Sequence, residues 1–268
     1  MTPKLSGAHA SGLTKKPECG RITPAFLLEG IMKKYLGLVS IGFGILLIGC
    51  LASGFGGPAP QTEGKAGYGP NVYMIDDFED GDYSSNPEWW KFDNVTLKVV
   101  DNADYQNGDQ ASLNEIKKYS LNANGTCTDW YCGGMGTYTA RKGVDFSMYN
   151  YFQMDVYGNG AGSGTIKVEL NDDDNGNWQV EQDPKKNYSN IYDDKFAYNV
   201  VVDWRGWKRV SIPIADFIDE NPGVGDDIWN PDQTGGSGGL IQTQLVFIGP
   251  KKLGNIRFNI DNISLVNK

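Results

Sequence analysis

Aromatic residues cluster in this sequence where a buried core has little use for them. Trp130 and Tyr131 lie between Cys127 and Cys132, in a loop where burial of both rings is hard to arrange. Trp178 follows the turn Asp172-Asp173-Asp174-Asn175-Gly176-Asn177, Tyr188 and Tyr192 lie in a charged stretch, and Trp229 lies in an acidic loop. A ring offers a large, rigid apolar surface at small entropic cost. Carboxylates and amides beside it fix hydroxyls through directional hydrogen bonds. These residue types together do the chemistry of sugar recognition. The structural alternative is that each ring covers an end of the fold. Trp204 and Trp207 flank a strand start and read as core, and Trp89 and Trp90 read as mainly structural.

Other chemistries fit less well. The only histidine is His9, ahead of a leader, so the working domain has no His-based triad, proton shuttle or His-ligated zinc. Glu181-Gln182-Asp183-Pro184-Lys185-Lys186 resembles the Glu-x-Asp-x-x-Glu motif of the family 16 glycoside hydrolases. Lys186 stands where the second catalytic Glu belongs, and a glycosidase of the usual kind needs two carboxylates astride the bond. The chain therefore reads as a binding protein and not an enzyme. The Asp172–Asn175 run partly imitates a calcium loop, but counting back from Gly176 puts Asn171 and Gln182 where an EF-hand has acids, so it reads as a solvated hairpin turn.

The N-terminus reads as an address. Lys33 and Lys34 precede an uncharged, mostly apolar run from Tyr35 to Gly49, followed by Cys50. A basic start, a short apolar run and small residues before a cleavage point describe a secretory signal. The run is shorter than the roughly 20 residues that span a bilayer. Leu47-Ile48-Gly49-Cys50 resembles a bacterial lipobox, which implies cleavage before Cys50 and lipidation of that residue. An uncleaved anchor is the alternative. Glu29 and Gly30 have purine-rich codons just ahead of Met32, as a ribosome-binding site would. Residues 1–31 then read as a mis-called upstream extension, the alternative being a genuine cytoplasmic one. Residues 32–49 are the signal peptide, and 50–70 carry the lipidated Cys and a Gly/Pro-rich flexible tether. Leu51, in place of an Asp that signals inner-membrane retention, points to the outer membrane of a two-membrane bacterium.

Cleavage there removes six basic and two acidic residues and leaves 18 basic against 31 acidic, a formal −13. That balance excludes nucleic acid, since phosphate binding needs clustered Lys and Arg. Cys127 and Cys132 are the cysteines left after Cys50, and in an exported chain they read as a disulfide.

The elements that must position the rings are strands. Phe152/Met154/Val156, Ile166/Val168/Leu170, Val210/Ile212/Ile214 and Ile256/Phe258/Ile260 alternate with polar residues, giving one buried and one wet face. Pro213 marks an edge or a strand end. Asp261-Asn262 interrupts the last run and Ile263 and Leu265 resume with the phase shifted by one, as a β-bulge produces. Gly- and Asn-rich turns separate the runs, and residues 71–268 read as one all-β domain, a two-sheet antiparallel β-sandwich.

Several segments, in order, resemble one family. They are Ile75-Asp76-Asp77-Phe78-Glu79 with Trp89-Trp90, Trp130-Tyr131 with Gly136-Thr137-Tyr138, Asp145-Phe146-Ser147, Asp203-Trp204-Arg205-Gly206-Trp207 running into Ile212-Pro213, and Phe258-Asn259-Ile260-Asp261-Asn262. The chain from about 72 to 266 is similar to the family 11 carbohydrate-binding modules among the galactose-binding-like jelly rolls. The resemblance implies a jelly roll, structural Ca2+ and a concave face that binds β-glucan chains, with Tyr138 added to the ring candidates. It also implies that Glu79 in the first strand and Asp261 in the last meet to hold calcium, with Asp77 as a third ligand. The long stretches Gln182–Phe196 and Asp219–Gly239 depart from the family and put its β-glucan preference in question. The function implied is non-catalytic binding of a polysaccharide or glycan by a cell-envelope protein that meets the membrane through its lipid alone. The competing readings are a protein-interaction or assembly lipoprotein on the same fold and, third, a glycoside-active enzyme.

Overall fold

The computed structural model of the chain describes residues 71–139, 144–186, 188–232 and 239–268. The expected leader, lipidation at Cys50 and tether all fall outside the described residues. Among the described residues no helix is long and apolar enough to cross a membrane.

Alternation of apolar and polar residues builds two six-stranded sheets. The first contains β1 (Val72–Asp76), β3 (Val95–Asp101), β4 (Tyr119–Thr126), β6 (Tyr151–Asn159), β11 (Arg205–Pro213) and β14 (Asn255–Val266), in the order β11-β6-β14-β4-β3 with β1 also on β14. The second contains β2 (Trp90–Asp93), β5 (Tyr131–Tyr138), β7 (Gly164–Asp173), β10 (Asp194–Val202), β12 (Ile218–Asp219) and β13 (Gly239–Ile248), in the order β12-β10-β7-β13-β5-β2. A short hairpin, β8 (Gln182–Asp183) with β9 (Ser189–Asn190), stands apart. Neighbouring strands pair antiparallel. The architecture is the expected jelly-roll sandwich.

The core lies between the sheets. Phe152, Met154 and Val156 of β6 and Phe258 and Ile260 of β14 face Ile166, Val168 and Leu170 of β7 and Leu245 and Phe247 of β13, all fully buried. Phe247 meets Phe258 edge-on across the sandwich at 5.2 Å. Burial of each such side chain stabilises the fold by about 1.5–3 kcal/mol. The bulge falls where the phase shift places it. The β14–β6 register slips between Asp261 and Ser264, and Asn262 takes φ 49°. That slip lets both Ile260 and Ile263 point inward. β11 runs at the sheet edge and ends on Pro213, as its sequence requires. Cys127 and Cys132 are disulfide-bonded and buried.

Two tryptophans depart from expectation. Trp207 is buried, but on the outer face of the first sheet and not between the sheets. Its register partner is Tyr157, and the segment around Asn107–Asp109 covers it through backbone bonds from Trp207 N to Asn107 O (2.8 Å) and from Asp109 N to Trp207 O (2.8 Å). Its indole donates to Tyr105 O at 2.8 Å. Trp89 is structural as expected, with its indole donating to Asp76 Oδ2 at 2.8 Å. Its neighbour Trp90 is on a strand, so it must point the other way. It stands half-buried on the outer face of the second sheet.

Candidate functional site

The period of two that buries one face of the second sheet sets its other face outward. On β5 the core residue Met135 separates Gly134 and Gly136, and on β2 Lys91 separates Trp90 and Phe92. Register places Trp90 opposite Gly136 and Phe92 opposite Gly134. A Cβ on Gly136 would lie 2.5 Å from Trp90 Cζ2, and one on Gly134 would lie 2.4 Å from the Leu245 carbonyl oxygen and 2.5 Å from Phe92 Cζ. Each ring thus occupies the space a side chain on β5 would fill. Tyr138 continues the row, with its ring 5.0 Å from Trp90, and Tyr131 stacks on Phe92 at 6.5 Å and 21°. The Tyr131 hydroxyl donates to Asp93 Oδ2 at 2.5 Å. Burial first, and then that bond, push its pKa up. Two ring pairs therefore border one edge of the face.

Amides fill the middle. Gln242 and Gln244 of β13 project from the same face as Asn171 of β7. Asn190 Nδ2 donates to Asn171 Oδ1 at 2.9 Å, Asn171 Nδ2 to Gln242 Oε1 at 3.2 Å, and Gln244 Nε2 to the same Gln242 oxygen at 2.5 Å. The far side is ionic. Lys167 Nζ lies 2.6 Å from Glu169 and 2.7 Å from Glu220, and Lys195 Nζ lies 3.3 Å from Glu220. Rings, then amides, then charges cross one sheet face, open at the rings and at Gln244 and closed over Asn171 and Gln242, which are buried. That order suits a chain of hydroxylated rings, with apolar faces stacked on one side and hydroxyls bonded on the other.

The rings singled out from sequence divide between this face and its surroundings. Tyr131 and Tyr138 lie on it, 36% and 52% exposed. Trp130 is exposed one residue before the start of β5, its carbonyl accepting from Gly249 N at 2.7 Å. Tyr188 lies in the β8–β9 hairpin, which the Asn190–Asn171 bond ties to the amide row, and Tyr192 follows that hairpin; both are exposed. Trp178 is half-buried in the turn after β7, with its backbone N donating to Asp173 Oδ2 at 2.5 Å. Trp229 turns inward and packs edge-on against Phe196 at 5.5 Å. Trp90, Phe92, Asn171, Gln242 and Gln244 were missed. Their shared signal was spacing: rings, glycines and glutamines each two apart, with buried Met135 between the glycines and buried Thr243 between the glutamines.

The acids form two groups. Register puts β1 beside the end of β14, and Glu79 and Asp77 lie close enough to Asp261 to act on it by charge, without oxygens of all three lying within 4.8 Å of one another. Asp261 is buried, and burial first, then the charges of Asp155, Glu79 and Asp77, raise its pKa well above the carboxylate range. Lys117 Nζ reaches Asp77 at 3.2 Å, and Glu79 Oε1 accepts from Tyr119 N at 2.8 Å. The second group corrects the reading of a solvated turn. Asp172 and Asp173 are buried, because the loop 220–232 closes over the end of β7. Glu181, of the hydrolase-like motif, accepts from Asn175 Nδ2 at 3.2 Å and so serves the turn.

The fold and the open face define a β-sandwich of the carbohydrate-binding kind. The chain belongs to the family carbohydrate binding domain 30, whose model matches residues 74–267. No curated protein matches it. Among solved structures it is similar to the family 11 carbohydrate-binding module from Clostridium thermocellum in complex with a β-1,3-1,4-mixed-linked tetrasaccharide, at 18% identity over 74% of this chain and 96% of that one, TM-score 0.45. It is also similar to the CBM22-2 xylan-binding domain from Paenibacillus barcinonensis, at 14% identity over 72% and 98%, TM-score 0.36.

Proposed function

We propose that this domain binds a polysaccharide chain without cleaving it, along the open face of the second sheet. The observation that carries this reading is the pair of glycines, Gly134 and Gly136, each overlain by a ring of β2. Glycine costs a strand stability; Gly136 makes room for Trp90, and Gly134 for Phe92 and the Leu245 carbonyl. Tyr131 and Tyr138 extend the stacking surface, and Trp130, Tyr188 and Tyr192 border it as further contacts. Trp178 and Trp229 support the neighbouring loops. Gln244, half-buried, is the amide of the row that can bond hydroxyls, and the buried Gln242 and Asn171 hold it in place. An open face lined by rings and a few polar groups suits a long chain better than a closed pocket does.

The sequence supports the wider setting: export, lipidation at Cys50 after removal of 32–49, and a tether at 50–70 that lets the domain sample glycan near the outer membrane. Calcium at Asp77, Glu79 and Asp261 is supported by Asp261 alone, whose buried carboxylate among like charges a cation would stabilise, and needs Asp77 and Glu79 to turn toward it. Binding is tested on a glycan array with the purified chain, with product analysis alongside. Retention of at least one polysaccharide without release of shorter sugars is the expected result. Absence of binding defeats the reading, and release of shorter sugars turns it toward an enzyme. Cell fractionation of Cys50→Ser tests the anchor, with loss of membrane association expected.

A further inference from the structure

At the end of the sandwich where β7 finishes and β10 begins, three carboxylates converge. Oxygens of Asp172, Asp174 and Asp194 all lie within 4.8 Å of one another. Asp172 and Asp194 are both 0% exposed. Each bonds through one oxygen only: Asn230 N donates to Asp172 Oδ2 at 2.9 Å and Ile228 N to Asp194 Oδ2 at 3.1 Å. Asp194 N donates to Asp174 Oδ2 at 2.9 Å. The other oxygen of each, Asp172 Oδ1, Asp174 Oδ1 and Asp194 Oδ1, is buried without a hydrogen-bond partner. Asp194 Oδ1 is aimed into the group, because the Cβ position of Gly225 lies against both it and Asp174 Oδ2.

Such an arrangement is costly as it stands. A buried polar atom without a partner loses its hydration with nothing in return, and like charges in one site repel. Among the described residues, no Lys or Arg forms an ion pair with these acids. Burial first, with the neighbouring carboxylates Asp174, Asp194 and Asp226 adding to it, pushes the Asp172 pKa up to about 8. What would satisfy the orphaned oxygens is a compact positive charge. Oxygens within 4.8 Å of one another can share an ion that binds each at about 2.3–2.6 Å. The donors are all hard oxygens, which excludes the softer transition metals. Magnesium keeps several waters, whereas two fully buried carboxylates leave little room for them.

We propose that Asp172, Asp174 and Asp194 bind a calcium ion that fastens the loop 220–232 to the ends of β7 and β10. The carboxylates that take the ion also accept the N–H groups of Ile228 and Asn230, so the ion fixes the loop from which Trp229 plugs the core against Phe196. This site is separate from the Asp77, Glu79 and Asp261 group and does not depend on the glycan reading.

The test uses the full chain in detergent, with terbium as a luminescent calcium substitute excited through tryptophan. Trp229, between the two donors, is placed to sensitise it. Terbium emission displaced by calcium, and poorly by magnesium, is expected. A hundredfold excess of calcium over its Kd should raise the melting temperature by about 5–10 °C, reversibly with chelator. Asp172→Asn with Asp194→Asn should abolish the greater part of the emission and remove this site's share of the calcium shift, whereas Asp261→Asn should leave the emission and remove only the share of its own group. In chelator the double variant should melt no lower than the parent, because it removes repulsion, so a failure to fold cannot imitate the result. Emission and calcium shift unchanged in the double variant, or absent from the parent, would overturn the proposal.

Discussion

The outer faces of the two sheets are built from the same materials and put to opposite uses. On the first sheet, Trp207 and Tyr157 stand outward beside Asp155 and Arg209, and the chain covers them. Helix α1 (Gln110–Leu113) and the segment before it close over Trp207, and Asp155 receives Arg209 at 3.0 and 2.8 Å, Ser112 Oγ at 2.8 Å and Asn262 Nδ2 at 2.9 Å. Every lone pair there has use within the fold. On the second sheet, Trp90 and Tyr138 stand outward beside Gln244 and Glu169, and no strand or helix among the described residues lies over them. The difference is in the cover, not in the composition. A ring under a segment contributes stability, and a ring left open contributes a surface that something else can cover.

Trp207→Ala therefore gives the largest effect and the sharpest contrast. Loss of a buried Trp costs about 3–5 kcal/mol, or roughly 10 °C in melting temperature for a domain of this size. Glycan affinity measured below the melt should stay within twofold, because the cavity lies on the opposite sheet. A large affinity loss would break the division between the faces.

Trp90→Ala should do the reverse. Interface rings that act as anchors lose about 1.4–2.8 kcal/mol on truncation, a ten- to hundredfold rise in Kd, while the half-exposed position limits the melting shift to about 2–3 °C. Calorimetric titration with whichever glycan the array retains decides it. An unchanged Kd would remove Trp90 from the site.

Gly136→Ala sharpens the same point more gently. The added Cβ cannot coexist with the indole of Trp90 in its present place, and the obstacle is side-chain atoms, not backbone. The ring should tilt away, weakening binding about three- to tenfold with little change in melting temperature. Equal binding by this variant would mean that the close approach of ring and glycine has no part in recognition.

This contrast also marks what could be read from sequence. Alternation in β6, β7 and β14 fixed which residues are core, and the phase shift at Asp261-Asn262 located the bulge, because burial on one face leaves a period of two in the chain itself. The open face is written in the same period, but in its polar half. Gln242 and Gln244, or Gly134 and Gly136, look like ordinary solvent positions until the register aligns them with Trp90 and Phe92, and register across β13-β5-β2 is a long-range fact. Trp207 was misplaced for the same reason: an outward residue becomes buried only when a distant segment crosses it. The Asp172–Asp174 turn looked solvated because its cover, Ile228 to Asn230, and its third carboxylate, Asp194, lie 20 or more residues away. Motif comparison tests consecutive spacing and has no access to such a site.

The smallest predicted effect compares the ionic groups of the two faces. Asp155 is fully buried with Arg209, whereas Glu220 meets Lys167 and Lys195 with 30% of its side chain exposed. Burial, the largest single influence on Glu220, raises its pKa, but the hydrogen bond and charge of Lys167 and the charge of Lys195 outweigh it, and the net shift is downward. A folded pKa below the unfolded value means the contribution is present above about pH 4.5 and is lost as pH falls through the lower folded value. Solvent screening keeps that contribution under about 1 kcal/mol. Glu220→Gln should thus destabilise the chain by less than about 1 kcal/mol at pH 7, and the difference from the parent should close as denaturant melts are repeated down to about pH 3. A difference that stays constant across that range would show that the carboxylate acts through packing and not through its charge.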